Sequence, residues 1–330
     1  CSSDLELMDS VFLWQSGTKY RLNVHDADMN EVESVYGQTE QGTTVIEGSL
    51  FVKGKKPITA RTSYGLGEMI NTALDNGSKH LVISLGGLDC FDGGIGMLQA
   101  LGATFYDDEA QPLDATKGAQ IIKYIRHMDL TAVNDKLAEV NIQVMSDFSS
   151  RLYGKNSEIM QSYQTLGISR ETAVEVDNLI WYLGELIKNE LKIAIGPIER
   201  GGAGGGIAGI LKGLYDAEIV TSHELVDQIT HLDQLIEQAD LIIFGEGLKE
   251  EDRLMETTTI RIAELAEKHQ KPAIAICATS DKFDLFANYH VTAMFNTFID
   301  MPESVTDFKM GVQLRHYVVQ ALKLLKVQLN

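Results

Sequence analysis

Three cysteines in 330 residues, Cys1, Cys90 and Cys277, lie far apart with no metal-like spacing. That argues against a thiolate metal centre and a disulfide scaffold, and reads as free, buried thiols in a reducing cytoplasm. Positive charge is also scarce: 28 Lys and Arg stand against 47 Asp and Glu, for a net charge of −19. A field of that sign repels phosphate polymers and anionic lipid, so nucleic acid and membrane surfaces are excluded as partners. A small phosphorylated ligand stays allowed, because it feels nearby donors more than the distant sum. No apolar run approaches the length of a membrane span, and no signal peptide is visible. The chain starts at Cys1 without an initiating Met, which reads as a processed or truncated start. The eight histidines form no ligand-spaced cluster, and His223-Glu224 lacks the second histidine of a zinc helix. There is no Gly-x-Ser-x-Gly elbow and no Gly-Lys-Ser/Thr after a glycine run, so neither a serine hydrolase nor a P-loop is supported.

What is present fits a globular α/β protein. Hydrophobic content is 44% and charged content 23%, and the length suffices for two domains with buried cores. Residues 1–60 read as β-rich, with runs at Ser10–Trp14, Thr18–Asp26, Val32–Gln38 and Thr43–Glu47 that predict an antiparallel sheet. Helical spacing predicts helices over Thr62–Asp75, capped by Ser63, from Asp92 onward, over Lys117–Met128 and over Arg170–Leu191, with Trp181 assigned to the core. Strands are expected at His80–Leu85 and Val140–Met145. In the second half strands and helices alternate: Ala239–Phe244, Glu256–His269, Pro272–Ala278, His290–Phe295 and a closing helix over Phe308–Val327. Continuous apolar strands such as 241–244 and 273–276 point to a parallel sheet covered on both faces. The expected architecture is α/β in two domains. Residues 1–195 are expected to form a mixed domain with antiparallel strands and an Asp-Gly-Gly loop, and residues 196–330 a parallel α/β domain.

Four places can carry chemistry. At the end of the strand His80–Leu85, Gly86 and Gly87 allow a ligand to approach the backbone, and Gly93 and Gly94 open a helix whose first N–H groups can face an anion. Asp92 either caps that helix or holds a divalent cation. A second loop runs Glu199-Arg200-Gly201-Gly202-Ala203-Gly204-Gly205-Gly206 before an apolar helix. Its successive amides make an anion-binding concavity or, alternatively, a hinge. Gly245-Glu246-Gly247 sits at the C-terminal end of a buried strand, where open α/β sheets place ligands. Ser280 and Asp281 are weaker candidates on that rim. Asp147 follows the strand Val140–Met145 and is by itself an ordinary turn residue.

In order, these segments resemble the type I glycerate kinase family. Thr62-Ser63-Tyr64-Gly65-Leu66-Gly67-Glu68 is similar to its Thr-Ser-Tyr-Gly-Thr-Gly-Glu, and Asp92-Gly93-Gly94 with 96–102 to its central signature. Gly204-Gly205-Gly206 and Gly245-Glu246-Gly247 match its glycine loop and its Gly-Glu-Gly turn. The family's Gly-Gly-Ser-Ala-Thr-Asn-Asp-Gly-Gly carries Leu88, Cys90 and Phe91 here in place of Ser, Thr and Asn. Its Gly-Glu-Gly-Arg-x-Asp becomes 245–250 with Leu248 and Lys249, and its Asp-x-x-Asn-Pro keeps Asp147 but shows Ser150 and Arg151. Its Asp-Ser-Phe-Lys strand does not occur in the chain. The resemblance implies that the parallel domain is Rossmann-like, with a cleft between the two domains. It also implies transfer of the ATP γ-phosphate to a hydroxyl of glycerate or a related small hydroxy acid, with ATP and Mg as cofactors. Asp92, Glu246 and Asp147 would be catalytic, with Asp92 and Glu246 holding Mg. Gly86, Gly87, Gly93, Gly94, Gly204, Gly205, Gly206, Arg200 and Lys249 would bind the nucleotide. Partners would be small molecules, with a homodimer left open. Loss of the polar Ser, Thr and Asn favours the alternative of a catalytically degenerate relative acting as a binding or regulatory module.

Overall fold

The computed structural model describes residues 7–48, 54–147, 149–246, 258–277, 289, 291–296, 315–320 and 322–323. Lys249, Gly247, Ser280, Asp281 and most of the expected closing helix lie outside the described residues. The chain divides into two compact units, 2–221 and 222–330.

The first unit runs α1 (Leu7–Trp14), β1 (Gly17–His25), β2 (Glu31–Thr39), β3 (Thr43–Glu47), α2 (Tyr64–Asp75), β4 (His80–Ser84), α3 (Ile95–Leu101), β5 (Thr104–Tyr106) and β6 (Pro112–Leu113). It continues with β7 (His127–Asp129), α4 (Thr131–Leu137), β8 (Asn141–Met145), α5 (Glu158–Ser162), α6 (Arg170–Leu191), α7 (Ile207–Tyr215) and β9 (Glu218–Val220). Its main sheet is six-stranded in the order β1-β2-β3-β4-β8-β9. β1, β2 and β3 are antiparallel, as the alternating runs predict, and from β3 through β4, β8 and β9 the pairing turns parallel. The expected boundary near 195 is therefore displaced: β9 pairs with β8, which keeps 196–221 with the first sheet.

Two segments depart from their expected elements. Residues 7–14 are helical because Leu7, Met8 and Val11 share one buried face, and the Glu47 carboxylate accepts the Met8 N–H at 2.6 Å. The span Lys117–Met128 is not one helix. A 3-10 segment, Ala115–Tyr124, is broken at Gly118 (φ 74°), and β7 follows. A Cβ at Gly118 would lie 2.4 Å from the Arg61 carbonyl oxygen, so close backbone approach sets the break. α6 has the predicted bounds. Ser169 caps it by accepting the Thr172 N–H at 3.2 Å, and Val176, Ile180, Leu183 and Ile187 are buried. Trp181 is not core: it lies on the outer face, 49% exposed.

The second unit runs α8 (Ser222–Thr230), α9 (Leu232–Gln238), β10 (Ile242–Glu246), α10 (Thr258–Lys268), β11 (Ala273–Cys277) and β12 (Ala293–Asn296). Its three strands are parallel and β11 is buried throughout, as its continuous apolar run predicts. The architecture is thus α/β, with a mixed unit and a Rossmann-like parallel one. Among the described residues no helix is long and apolar enough to cross a membrane. Lys268 Nζ, 2.6 Å away, and His269 bind the Asp233 carboxylate and hold its pKa below the usual range. A carboxyl lowered on folding stabilises above its unfolded value and loses that contribution as pH falls through the lowered one. Asp233→Asn is therefore expected to flatten the acid limb of an unfolding-versus-pH curve. A limb unchanged in shape would contradict this.

Candidate functional site

The parallel strands β3, β4, β8 and β9 end together at Glu47, Ser84, Met145 and Val220, the side of an open α/β sheet on which ligands sit. Three predicted segments meet at this edge. A Cβ at Gly204 would lie 2.9 Å from Leu85 Cδ1, and one at Gly205 only 2.3 Å from the Cys90 carbonyl oxygen. A Cβ at Gly202 would lie 2.1 Å from the Arg151 carbonyl oxygen. The loops 85–94 and 201–206 therefore pack together, with Ser150 and Arg151 against Gly202, and Asp147 is half-buried. Arg200 precedes the glycine loop, half-buried, with φ 57°. Glu246 is the last residue of β10, in the other unit.

Most of the expected anion-binding amides are already engaged. Gly93 N–H donates to the Gly205 carbonyl (3.0 Å), Gly94 N–H to Asp92 Oδ1 (2.9 Å), Gly205 N–H to Glu158 Oε2 (3.0 Å) and Gly206 N–H to the Gly202 carbonyl (3.0 Å). Gly93, Gly94 and 201–206 are all buried. Gly204, Gly205 and Gly206 take positive φ (61°, 62° and 105°), which lets the two glycine segments interlock. Gly86 and Gly87 differ. Gly87 is exposed with φ 73°, and neither N–H has a partner among the described residues. Among the described residues these two amides are unengaged, the condition an anion-binding N–H must meet.

Asp92, expected as a helix cap or a metal ligand, is wholly buried, and it accepts the Gly96 N–H of the first turn of α3, in keeping with the capping alternative. Its Oδ2 accepts from Ser63 N–H (2.8 Å), Ser63 Oγ (2.9 Å), Gly96 N–H (3.2 Å) and Thr62 Oγ1 (3.3 Å), while Oδ1 takes Gly94 N–H. Burial pushes its pKa up, and the donors from Ser63, Gly94 and Gly96 oppose that rise without cancelling it. Four donors crowd Oδ2 and one engages Oδ1, so the carboxylate is committed to joining α2 and α3. Among the described residues no group of three His, Cys, Asp or Glu is placed to hold a metal.

The Thr-Ser-Tyr-Gly segment is the other half of this joint. Ser63 stands at the N-cap position of α2 without capping it. Its hydroxyl bonds Asp92 and accepts the Met97 N–H at 2.9 Å, so it ties α2 to α3. A Cβ at Gly67 would lie 2.3 Å from the Met97 carbonyl oxygen, and one at Gly96 2.1 Å from Thr62 Oγ1. Glu68 Oε2 accepts the His25 N–H at 2.8 Å. Leu88, Cys90 and Phe91, where polar residues were expected to face a ligand, are buried in the main core.

Sequence reasoning missed Arg61 and Asp89. Arg61 Nη1 bonds Asp89 Oδ2, and Arg61 Nε donates to the Lys56 carbonyl at 2.9 Å. Burial lifts the Asp89 pKa, Arg61 lowers it and Asp28 adds to the rise, for a net increase. The available signal was a charge just before one motif, Arg61, and a charge inside the other, Asp89, where the family pattern has Ala.

Comparison with known proteins agrees with the resemblance. Residues 7–321 match the model of the glycerate kinase family. A protein named glycerate kinase from Halalkalibacterium halodurans is 29% identical over 255 residues, 75% of this chain and 67% of the relative. Glycerate 2-kinase of Escherichia coli is 29% identical over 73% of this chain and 63% of its own length. A glycerate kinase of Haemophilus influenzae is 28% identical over 86% and 77%. In fold, the chain is similar to a crystal structure from Salmonella typhimurium LT2, provisionally assigned as a glycerate kinase 2. The TM-score is 0.83 at 24% identity, covering 97% of this chain and 86% of that one.

Proposed function

The chain belongs to the glycerate kinase family, and from that premise we propose that it transfers the γ-phosphoryl group of ATP to a hydroxyl of glycerate or a closely related hydroxy acid. In that step a bond forms between the acceptor oxygen and phosphorus, and the β–γ bridging bond breaks. The hydroxyl proton passes to a carboxylate, and ADP leaves. The observation that carries the reading is the pair of unengaged amides, Gly86 and Gly87, at the C-terminal edge of a parallel sheet in a chain that matches the family from residue 7 to 321.

The residues fit the nucleotide and the metal unequally. Backbone N–H donors at the strand ends suit a phosphate or carboxylate oxygen. The described residues offer no ligand set for a resident cation, so magnesium enters this scheme as part of the Mg-ATP substrate. Within the first unit, Asp147 is the carboxylate we assign to the acceptor hydroxyl and Arg200 the cation we assign to the phosphates. For Glu246 and Lys249 only the family motif supports such roles. Asp92 leaves the reacting groups and becomes a positioning residue. Such donors act by lying ready where charge develops, and removing one costs about 2.7–4 kcal/mol of barrier. The cytoplasm, where ATP is available, is the compartment assigned.

One observation favours a second reading. Leu88, Cys90 and Phe91 have taken three polar family positions into the core, as in a relative that retains binding without turnover. A coupled assay of ADP release separates the two. Purified protein with Mg-ATP is expected to release ADP only when D-glycerate is added. Calorimetric binding of glycerate or nucleotide without ADP release would establish the second reading instead.

A further inference from the structure

We propose that Arg61, held in place by Asp89, binds the carboxylate of the acceptor substrate and sets its specificity for hydroxy acids. The proposal rests on the kinase reading above, and four observations support it.

Asp89 lies two residues beyond Gly87 on the turn that carries the unengaged amides, which brings the Arg61 guanidinium to the same turn. The Ser, Thr and Asn of the family pattern are apolar and buried here, so these side chains no longer offer the turn a polar group. The Arg61–Asp89 pair restores charge there. One of its two positions is apolar in that pattern, since Asp89 replaces an Ala.

Arg61 is also built in rather than draped on a surface. A Cβ at Gly54 would lie 2.7 Å from Arg61 Cδ and Nε, and one at Gly118 2.4 Å from the Arg61 carbonyl oxygen, so two glycines make room for it. Nε is fixed on the Lys56 carbonyl and Nη1 on Asp89, while Nη2 has no partner among the described residues. The side chain retains 15% exposure. A guanidinium held this way loses little freedom when it engages a carboxylate, and its fork matches that group.

The pair is incomplete as it stands. Asp89 Oδ1 is buried without a donor, and an unsatisfied buried acceptor is unfavourable. A ligand carboxylate on the Arg61 fork is what the pair, with Nη2 unpartnered among the described residues, is shaped to take. Asp28, which accepts the Lys55 and Lys56 N–H groups and whose carbonyl lies 2.6 Å from the Lys56 ammonium, is a further charge acting on Asp89.

The test uses the full chain and two acceptors, D-glycerate and glycerol, which lacks the carboxylate. Arg61→Gln is expected to raise KM for D-glycerate about 30-fold, the size of a charge-assisted hydrogen bond. KM for ATP should stay within about twofold, and the preference for glycerate over glycerol should fall by the same factor as glycerate binding. Asp89→Asn should give a smaller rise on glycerate alone. The double exchange R61D/D89R restores an ion pair but moves the guanidinium. A purely structural role predicts rescue by it, and substrate contact predicts none. An unchanged glycerate KM in R61Q, an effect on ATP alone, or rescue by the exchange overturns the proposal. Wild-type protein without glycerate turnover contradicts the kinase reading. Titration of D-glycerate by calorimetry then decides Arg61 separately: binding by wild type but not by R61Q supports the proposal, while equal heats or none overturn it.

Discussion

Asp92→Ala is expected to lower the stability of the protein by on the order of 4 kcal/mol, the range of a broken buried network. The carboxylate is wholly buried and accepts hydrogen bonds from Ser63, Thr62, Gly94 and Gly96. Its removal leaves three main-chain N–H groups without acceptors between α2 and α3. Each stranded donor costs about 1–3 kcal/mol, and local relaxation returns part of the sum. Urea unfolding without nucleotide or metal is the decisive measurement. A metal ligand would behave in the opposite way, because deleting it abolishes magnesium-dependent activity while leaving the apo midpoint unchanged or raised. Full apo stability in Asp92→Ala would return this residue to the reaction.

Gly65→Ala is expected to be the most damaging small substitution in the first unit, preventing folding or costing more than about 4 kcal/mol. A Cβ there would lie 1.8 Å from the His25 carbonyl oxygen and 2.9 Å from its carbon. Neither neighbour can withdraw easily. His25 ends β1 in register with Glu31, and its N–H is held by Glu68 one turn along α2. Gly77→Ala provides the control. Gly77 has φ 87° but nothing within 4 Å, so only the left-handed backbone is penalised, by about 1 kcal/mol. Circular dichroism and thermal midpoints of the two variants should differ sharply, and equal midpoints would contradict the packing account.

The sequence carried the regular elements well where local chemistry decides them. α6 shows its bounds because Ser169 caps it and the apolar spacing holds over six turns. β11 shows itself by an unbroken apolar run. The losses occur where distant contacts decide. Residues 10–14 alternate well enough to read as a strand, yet Glu47, 39 positions from Met8, receives the first turn of a helix instead. Trp181 follows the core period only loosely and falls on the outer face of α6. The family motifs were legible as motifs, but their roles were not. A glycine that offers its N–H to a ligand and one that donates to a partner over a hundred residues away look alike in sequence, as Gly87 and Gly93 do. The Arg61–Asp89 pair spans 28 positions and carries no spacing signal at all.

The motif divides into a structural joint, centred on Asp92, and a small turn, Gly86–Gly87, whose amides are unengaged among the described residues. Amide spectra of protein labelled with 15N-glycine, recorded with and without Mg-ATP and D-glycerate, test that division most directly. Gly86 and Gly87 are predicted to exchange readily in the free protein and to shift on addition of ligand. Gly93, Gly94, Gly205 and Gly206 are predicted to be protected from exchange before and after. Ligand-induced shifts concentrated at those four amides, with Gly86 and Gly87 unmoved, would contradict the account.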